Sequence, residues 1–218
     1  MRNEGVIKFK CQQKKTQPEI PDSILSDLNL WRERLLQLGF IGINSEGVGY
    51  GNISVRYKSG FVISGSATGG ILHLDVGHYA FVNQWNIELN ALSCIGLVPA
   101  SSESLSHAAV YDAGGERISA VIHVHHPELW RVLSEQSVGD FLESPFIEHC
   151  TVPSTPMEAE YGTPSMAKAI IDIVSDPKQA VKQILVMRGH EDGILVWGSD
   201  LDEAGKILLH WAKLLTEK

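Results

Sequence analysis

The sequence predicts one three-layer α/β domain, and three observations carry that expectation. Apolar residues recur at helical spacing near both ends of the chain and again in its middle. Short segments of strand character lie between them. Glycine-rich turns separate several of those strands, so helices can cover both faces of one sheet. The length of 218 residues leaves room for a single large domain. Residues 1–20 read as a polar N-terminal arm whose order is left open, with Lys8, Lys10, Lys14 and Lys15 clustered in it, and residues 21–218 read as the domain.

Taken in order, Ile24, Leu28, Trp31, Leu35 and Leu38 mark a first helix that Gly39 is placed to end. Strands are expected at Ile53–Tyr57, Phe61–Ile63, Tyr79–Val82 and Ile87–Leu97. A helix opens at Glu103 and runs to about Tyr111. The run Ala120-Val121-Ile122-His123-Val124-His125 is a strand, and Pro127 opens a helix carrying Leu129, Trp130 and Leu133. Thr163-Pro164 is an N-cap and first-turn pair for a helix with Met166, Ala167, Ile170, Ile171 and Val174 on one face. Ile184–Met187 and Ile194–Trp197 are strands around a turn at Gly189–Gly193. Ala204, Ile207, Leu208, Trp211 and Leu215 form the last helix.

Composition narrows the function classes. At 44% hydrophobic and 20% charged residues the chain can bury a sizeable core. No apolar run approaches the roughly 18–20 residues of a membrane span. A net charge of −8 argues against a general nucleic-acid binder. The arm lacks the apolar stretch of a signal peptide. Three cysteines, Cys11, Cys94 and Cys150, odd in number and far apart, suit reduced thiols in a cytoplasmic protein.

Nine histidines stand out. On a strand, alternate side chains share a face, so His123 and His125 point the same way about 6–7 Å apart along the backbone. Two imidazoles so placed can converge on one ion, and a catalytic zinc commonly takes three protein ligands and keeps one position open. His190, in a glycine turn at the end of an apolar strand, is the best candidate for the third. Taken alone, the His-x-His is equally well two histidines on a polar sheet face. His126 points to the opposite face, and His73, His78, His149 and His210 read as surface or core histidines. Glu191 and Asp192 read as turn residues that could serve the metal.

Four segments in this order resemble the class II aldolase/adducin family: Gly51-Asn52-Ile53-Ser54-Val55-Arg56, Ser101-Ser102-Glu103 with His107 beyond it, Val121-Ile122-His123-Val124-His125, and His190 before Ile194-Leu195-Val196-Trp197-Gly198. The resemblance spans roughly residues 24–215. It implies an α/β/α sandwich around a largely antiparallel sheet, commonly a C4 homotetramer with active sites at subunit interfaces. It implies zinc, or another divalent metal, held by His123, His125 and His190. Glu103 falls at the acid/base carboxylate of the aldolases, and Asn52, Ser101 and Ser102 fall at phosphate-contacting positions. The Ser64–Gly69 loop takes the place of the remaining phosphate loop, through Thr68 and Gly69. Tyr161 falls near an aromatic position of the family's sites, with core packing as its alternative.

The implied chemistry is coherent. A ketose phosphate that loses a carbon–carbon bond or a proton beside its carbonyl leaves an enediolate, whose charge a Lewis-acidic zinc stabilises. Glu103 would move the proton, and N–H groups and hydroxyls of a Gly/Ser/Thr loop would hold the phosphate. Arg56 reads as a surface ion pair or an added anion contact. The leading expectation is therefore a zinc-dependent aldolase-type lyase acting on a small sugar phosphate or hydroxy-keto compound. The alternatives are an epimerase or dehydratase of the same family, with Glu148 as the dehydratase's acid, or a non-catalytic adducin-like scaffold.

Overall fold

The computed structural model describes residues 5–134 and 152–213. Glu148, His149, Cys150 and Leu215 lie outside the described residues. A single large sheet organises the chain. Its strands are β1 Lys10–Lys14, β4 Asn52–Tyr57, β5 Gly60–Ser64, β6 Tyr79–Asn86, β7 Ala91–Ile95, β8 Ala120–His125, β9 Ile184–Val186 and β10 Gly193–Gly198. A small hairpin, β2 Gly42–Ile43 with β3 Gly49–Tyr50, stands apart from it. The eight strands of the large sheet lie in the order β1-β7-β6-β5-β4-β8-β10-β9. Every neighbouring pair is antiparallel except β1 with β7.

Helices cover both faces, giving the three-layer sandwich. On one face α2 Ser104–Gly114 packs beside α4 Pro164–Ser175, over Phe61, Ile63, Val121, Leu195 and Trp197. On the other, α1 Asp22–Gln37, α3 Pro127–Ser134 and α6 Leu201–Ala212 cover Ile53, Val62, Ile122, Val124, Ile194 and Val196. The alternation along β8 and β10 follows from the two-residue strand period: neighbours in sequence feed opposite cores. Full burial of each such aliphatic side chain is worth roughly 1.5–3 kcal/mol. A short helix α5, Pro177–Ala180, follows α4. Thr163 caps α4 with its hydroxyl, and Pro164 occupies the first turn. Among the described residues no helix is long and apolar enough to cross a membrane.

Three sequence expectations are corrected. The arm drawn outside the domain enters the sheet: Lys10–Lys14 run along Ala91–Ile95, with Cys11 Sγ 3.5 Å from Cys94 Sγ. An edge strand exposed on both faces carries no apolar alternation, so Lys-Cys-Gln-Gln-Lys reads as polar linker. The strand expected over Ile87–Leu97 is instead a turn followed by β7. Asn86 accepts from Leu89 N at 2.9 Å and Asn90 takes a left-handed φ of 47°, reversing the chain despite the apolar Ile87 and Leu89. Arg56 makes no ion pair among the described residues. It donates to the carbonyls of Tyr111 and Gly115 at 2.9 and 2.8 Å and to that of Ile118 at 3.0 Å, closing the C-terminal end of α2.

Candidate active site

The sheet's register assembles the site. His123 pairs directly with Asn52 on β4 and with Leu195 on β10, while His125 pairs with Gly193. His123, His125 and Asn52 therefore share the face on which α2 begins, and Glu103 sits at the N-cap of that helix. Just before β10, a tight turn carries His190. Its N–H reaches Met187 O at 3.0 Å, and Gly193 N reaches His190 O at 2.9 Å. Two glycines make this turn possible. A Cβ at Gly189 would lie 1.8 Å from Ala159 O, and one at Gly193 would lie 2.9 Å from the His190 ring.

The ligating nitrogens of His123, His125 and His190 all lie within 4.8 Å of one another. His123 Nε2 is 3.0 Å from His125 Nε2, and His123 Nδ1 faces Ile194 O at 3.2 Å. That carbonyl accepts a hydrogen bond from the Nδ1–H, which leaves the Nε2 lone pair turned into the cluster. Four-coordinate zinc, with bonds near 2.0–2.1 Å, needs nitrogens about 3.3 Å apart. The three imidazoles thus fit a small divalent ion with a position to spare. Burial holds His123 and His190 well below their ordinary titration range, and the neighbouring His125 pushes both further down. Neutral imidazole is the form that ligates.

Glu103 is buried. Its Oε2 accepts from Ser106 Oγ at 2.6 Å, and its Oε1 lies 3.9 Å from His190 Nε2 with no hydrogen-bond partner among the described residues. Burial raises its pKa, opposed by the Ser106 hydroxyl and then by the nearby His125 and Lys8. The carboxyl therefore holds its proton to a higher pH than an exposed one would. Asn52 Oδ1 is a second buried oxygen without a partner among the described residues. Both residues line a cavity of about 310 Å³ with the three histidines.

The structure brings Ser101, Ser102, Thr68 and Gly69 to the same cavity. Ser101 Oγ accepts from Glu103 N at 3.3 Å. The Thr68 hydroxyl donates to Gly65 O at 2.8 Å, so it closes the loop on itself. Sequence reasoning missed the brace beneath this loop. Buried Arg32 donates to the Thr68 and Gly69 carbonyls at 2.6 and 2.9 Å and fixes how the loop presents its amides. On α1 this residue looks like any charged position of an amphipathic helix. Also missed were Tyr50, whose ring lies 5.7 Å from that of His125, and Gly5, which lines the cavity from the arm. Tyr161 is buried and stacks on His190, with centroids 4.5 Å and planes 26° apart. Glu191 and Asp192 are not among the residues lining this cavity. His126 instead accepts from Leu129 N at 3.2 Å and caps α3.

The fold is a three-layer α/β sandwich that carries a three-histidine cluster able to hold a metal ion. The model of the Class II Aldolase and Adducin N-terminal domain matches residues 44–216, and the chain belongs to that family. No curated protein sequence matches it. Among solved structures, the chain is similar to YgbL of Klebsiella pneumoniae, a putative aldolase/epimerase/decarboxylase, at 15% identity and TM-score 0.63, covering 91% of this chain and 89% of that one. It is similar to a sugar-phosphate aldolase from Thermotoga maritima at 14% identity and TM-score 0.66, covering 89% and 92%. It is also similar to the L-fuculose-1-phosphate aldolase of Thermus thermophilus at 20% identity and TM-score 0.56, covering 90% and 89%. At these identities the likeness is one of fold.

Proposed function

We propose that this chain is a zinc-dependent aldolase-type lyase that cleaves or forms a carbon–carbon bond in a small sugar phosphate or hydroxy-keto compound. The observation that carries this reading is a Glu103 carboxyl oxygen without a hydrogen-bond partner among the described residues, 3.9 Å from one histidine of a three-histidine cluster lining the same cavity. A scaffold has no use for a buried carboxyl beside three convergent imidazoles, because burying polar groups costs desolvation.

His123, His125 and His190 would hold the ion, which when bound supplies a Lewis acid for negative charge developing beside a carbonyl. Glu103 does the proton work. Burial raises its pKa, so the group holds a proton to higher pH than an exposed carboxyl, and Ser106 fixes its orientation. Asn52, whose Oδ1 has no hydrogen-bond partner among the described residues, orients a substrate hydroxyl. Ser101, Ser102 and the Arg32-braced loop at Thr68 and Gly69 receive the phosphate through hydroxyls and amides. Such neutral donors allow an acidic protein to bind an anion. A homotetramer, and a cytoplasmic setting that keeps Cys11 and Cys94 reduced, complete the reading.

The test is a screen of metal-loaded protein against ketose 1-phosphates and hydroxy-keto acids, read as aldehyde release. Release that disappears in Glu103→Gln while the metal is retained supports the reading. Release that survives that substitution removes Glu103 from the acid/base role, and a wild-type protein that takes up no divalent metal ends the enzymatic reading. Sedimentation of the native protein tests the tetramer.

A further inference from the structure

One wall of the cavity comes from outside the family match, which begins at residue 44. Gly5 lines the cavity beside Val48, packed so closely that a Cβ on Gly5 would lie 2.8 Å from Val48 Cγ1. Three residues on, Lys8 is tied down at several points. Its stem runs along Gly162, at 3.5 Å from where a Cβ there would stand. Its ammonium lies 3.6 Å from the centroid of the Tyr161 ring and pairs with Glu160 Oε1 at 2.6 Å. Its carbonyl accepts from Asn90 Nδ2 at 3.1 Å. Phe9 follows, buried in the core, and then β1.

Tyr161 links this arrangement to the site. The ring stacks on His190 at 4.5 Å, and the Lys8 ammonium lies 3.6 Å from its centroid. The one ring thus contacts both a lysine of the arm and a histidine of the cluster. Glu160 pairs with the lysine at the outer side of this contact, and its carboxylate is the more exposed partner of the two.

We propose that the segment from Gly5 to Lys8 is a wall of this chain's own active site, pinned by the clasp of Lys8 on Tyr161 and Glu160, and that it helps determine how tightly the cavity holds a phosphorylated substrate. Lys8 is then a positioning residue. The proposal rests on the reading of this cavity as a sugar-phosphate site, and its experiment separates the two.

Full-length, metal-loaded wild type, Lys8→Gln, Lys8→Arg and Glu160→Gln are compared in two measurements. The first is the rate of chymotryptic cleavage after Phe9, a buried bond that is cut only when the arm lifts. A partly exposed cation–π contact plus an ion pair predicts cleavage about five- to tenfold faster in Lys8→Gln, a smaller rise in Glu160→Gln, and near-native rates in Lys8→Arg. The second is the affinity for dihydroxyacetone phosphate by calorimetry. It weakens in Lys8→Gln and is restored in Lys8→Arg, because a wall that is open part of the time lowers the binding-competent fraction. Equal cleavage rates in wild type and Lys8→Gln overturn the clasp. Faster cleavage with unchanged affinity overturns the wall. If wild type binds no phosphorylated ketone, the substrate reading fails instead, and the cleavage rates still decide the clasp.

Discussion

His107 and the cluster of His123 and His190 are buried histidines at the same sheet face, and they differ in what their nitrogens meet. His107 lies on α2, one turn beyond Glu103. Its Nδ1 lies 2.7 Å from Ser54 Oγ, which in turn lies 2.8 Å from Tyr111 OH. The cluster's nitrogens instead converge on one another, with His190 Nε2 3.9 Å from a Glu103 oxygen that has no hydrogen-bond partner among the described residues. Burial depresses the pKa of both groups, so the shift by itself does not distinguish a structural histidine from a ligand. The distinguishing feature is convergence: lone pairs crowded together are unfavourable until a cation sits among them.

The largest effect that sharpens this comparison is expected on metal binding. His123→Ala should weaken the metal by about 3–4 kcal/mol, one ligand's share of the roughly 10–16 kcal/mol that structural zinc sites supply. Ser54→Ala should leave the metal in place. Metal analysis after dialysis against a chelator decides it, and equal loss from both variants would erase the distinction between the two groups.

Next in size is catalysis. Glu103→Gln keeps the shape and the Ser106 contact but cannot exchange a proton, and should lower turnover by about 10²–10⁴-fold with metal content unchanged. A rate within a few-fold of wild type would assign the proton transfer elsewhere.

Stability should respond in the opposite pattern. Ser54→Ala strands His107 Nδ1 and the Tyr111 hydroxyl, and should cost about 1–3 kcal/mol in urea unfolding of the metal-free protein. A neutral outcome would mean that the hydrogen-bonded group contributes nothing to the fold.

A slope with pH tests the same histidine. Burial pushes His107 from its ordinary 6.5 down to about 3. The unfolded chain therefore takes up the proton first. Stability is complete above about pH 6.5 and falls as pH drops towards about 3, by about 1.4 kcal/mol per unit for this one group. In His107→Gln the melting temperature of the metal-free protein should depend less steeply on pH across that window. An unchanged slope would show that His107 titrates normally.

Much of this was legible in the chain. Ala120–His125 is a strand with its sequence-predicted ends, because a buried central strand must be apolar throughout except where chemistry intrudes, and His123 and His125 are those intrusions. Thr163-Pro164 announces α4 for the local reason that one residue caps and the next has its φ preset. Other residues carry no such signal. Arg32 has helical spacing and charge like its neighbour Arg34, and only the approach of the Thr68–Leu72 loop to α1 makes it a buried brace. Tyr161 reads equally as core or site from the sequence, and the structure answers with both, buried and stacked on a candidate ligand.

The sequence by itself determined the layered class, most of its elements, and the residues able to ligate or to move a proton, since these depend on side-chain period and chemical type. Only the tertiary structure decided that Asn52 pairs with His123 across two strands, that the arm returns as the edge strand beside β7, and that Lys8 reaches Tyr161. Those contacts join residues far apart in the chain. Strand register and packing bring them together, and both depend on partners distant in sequence.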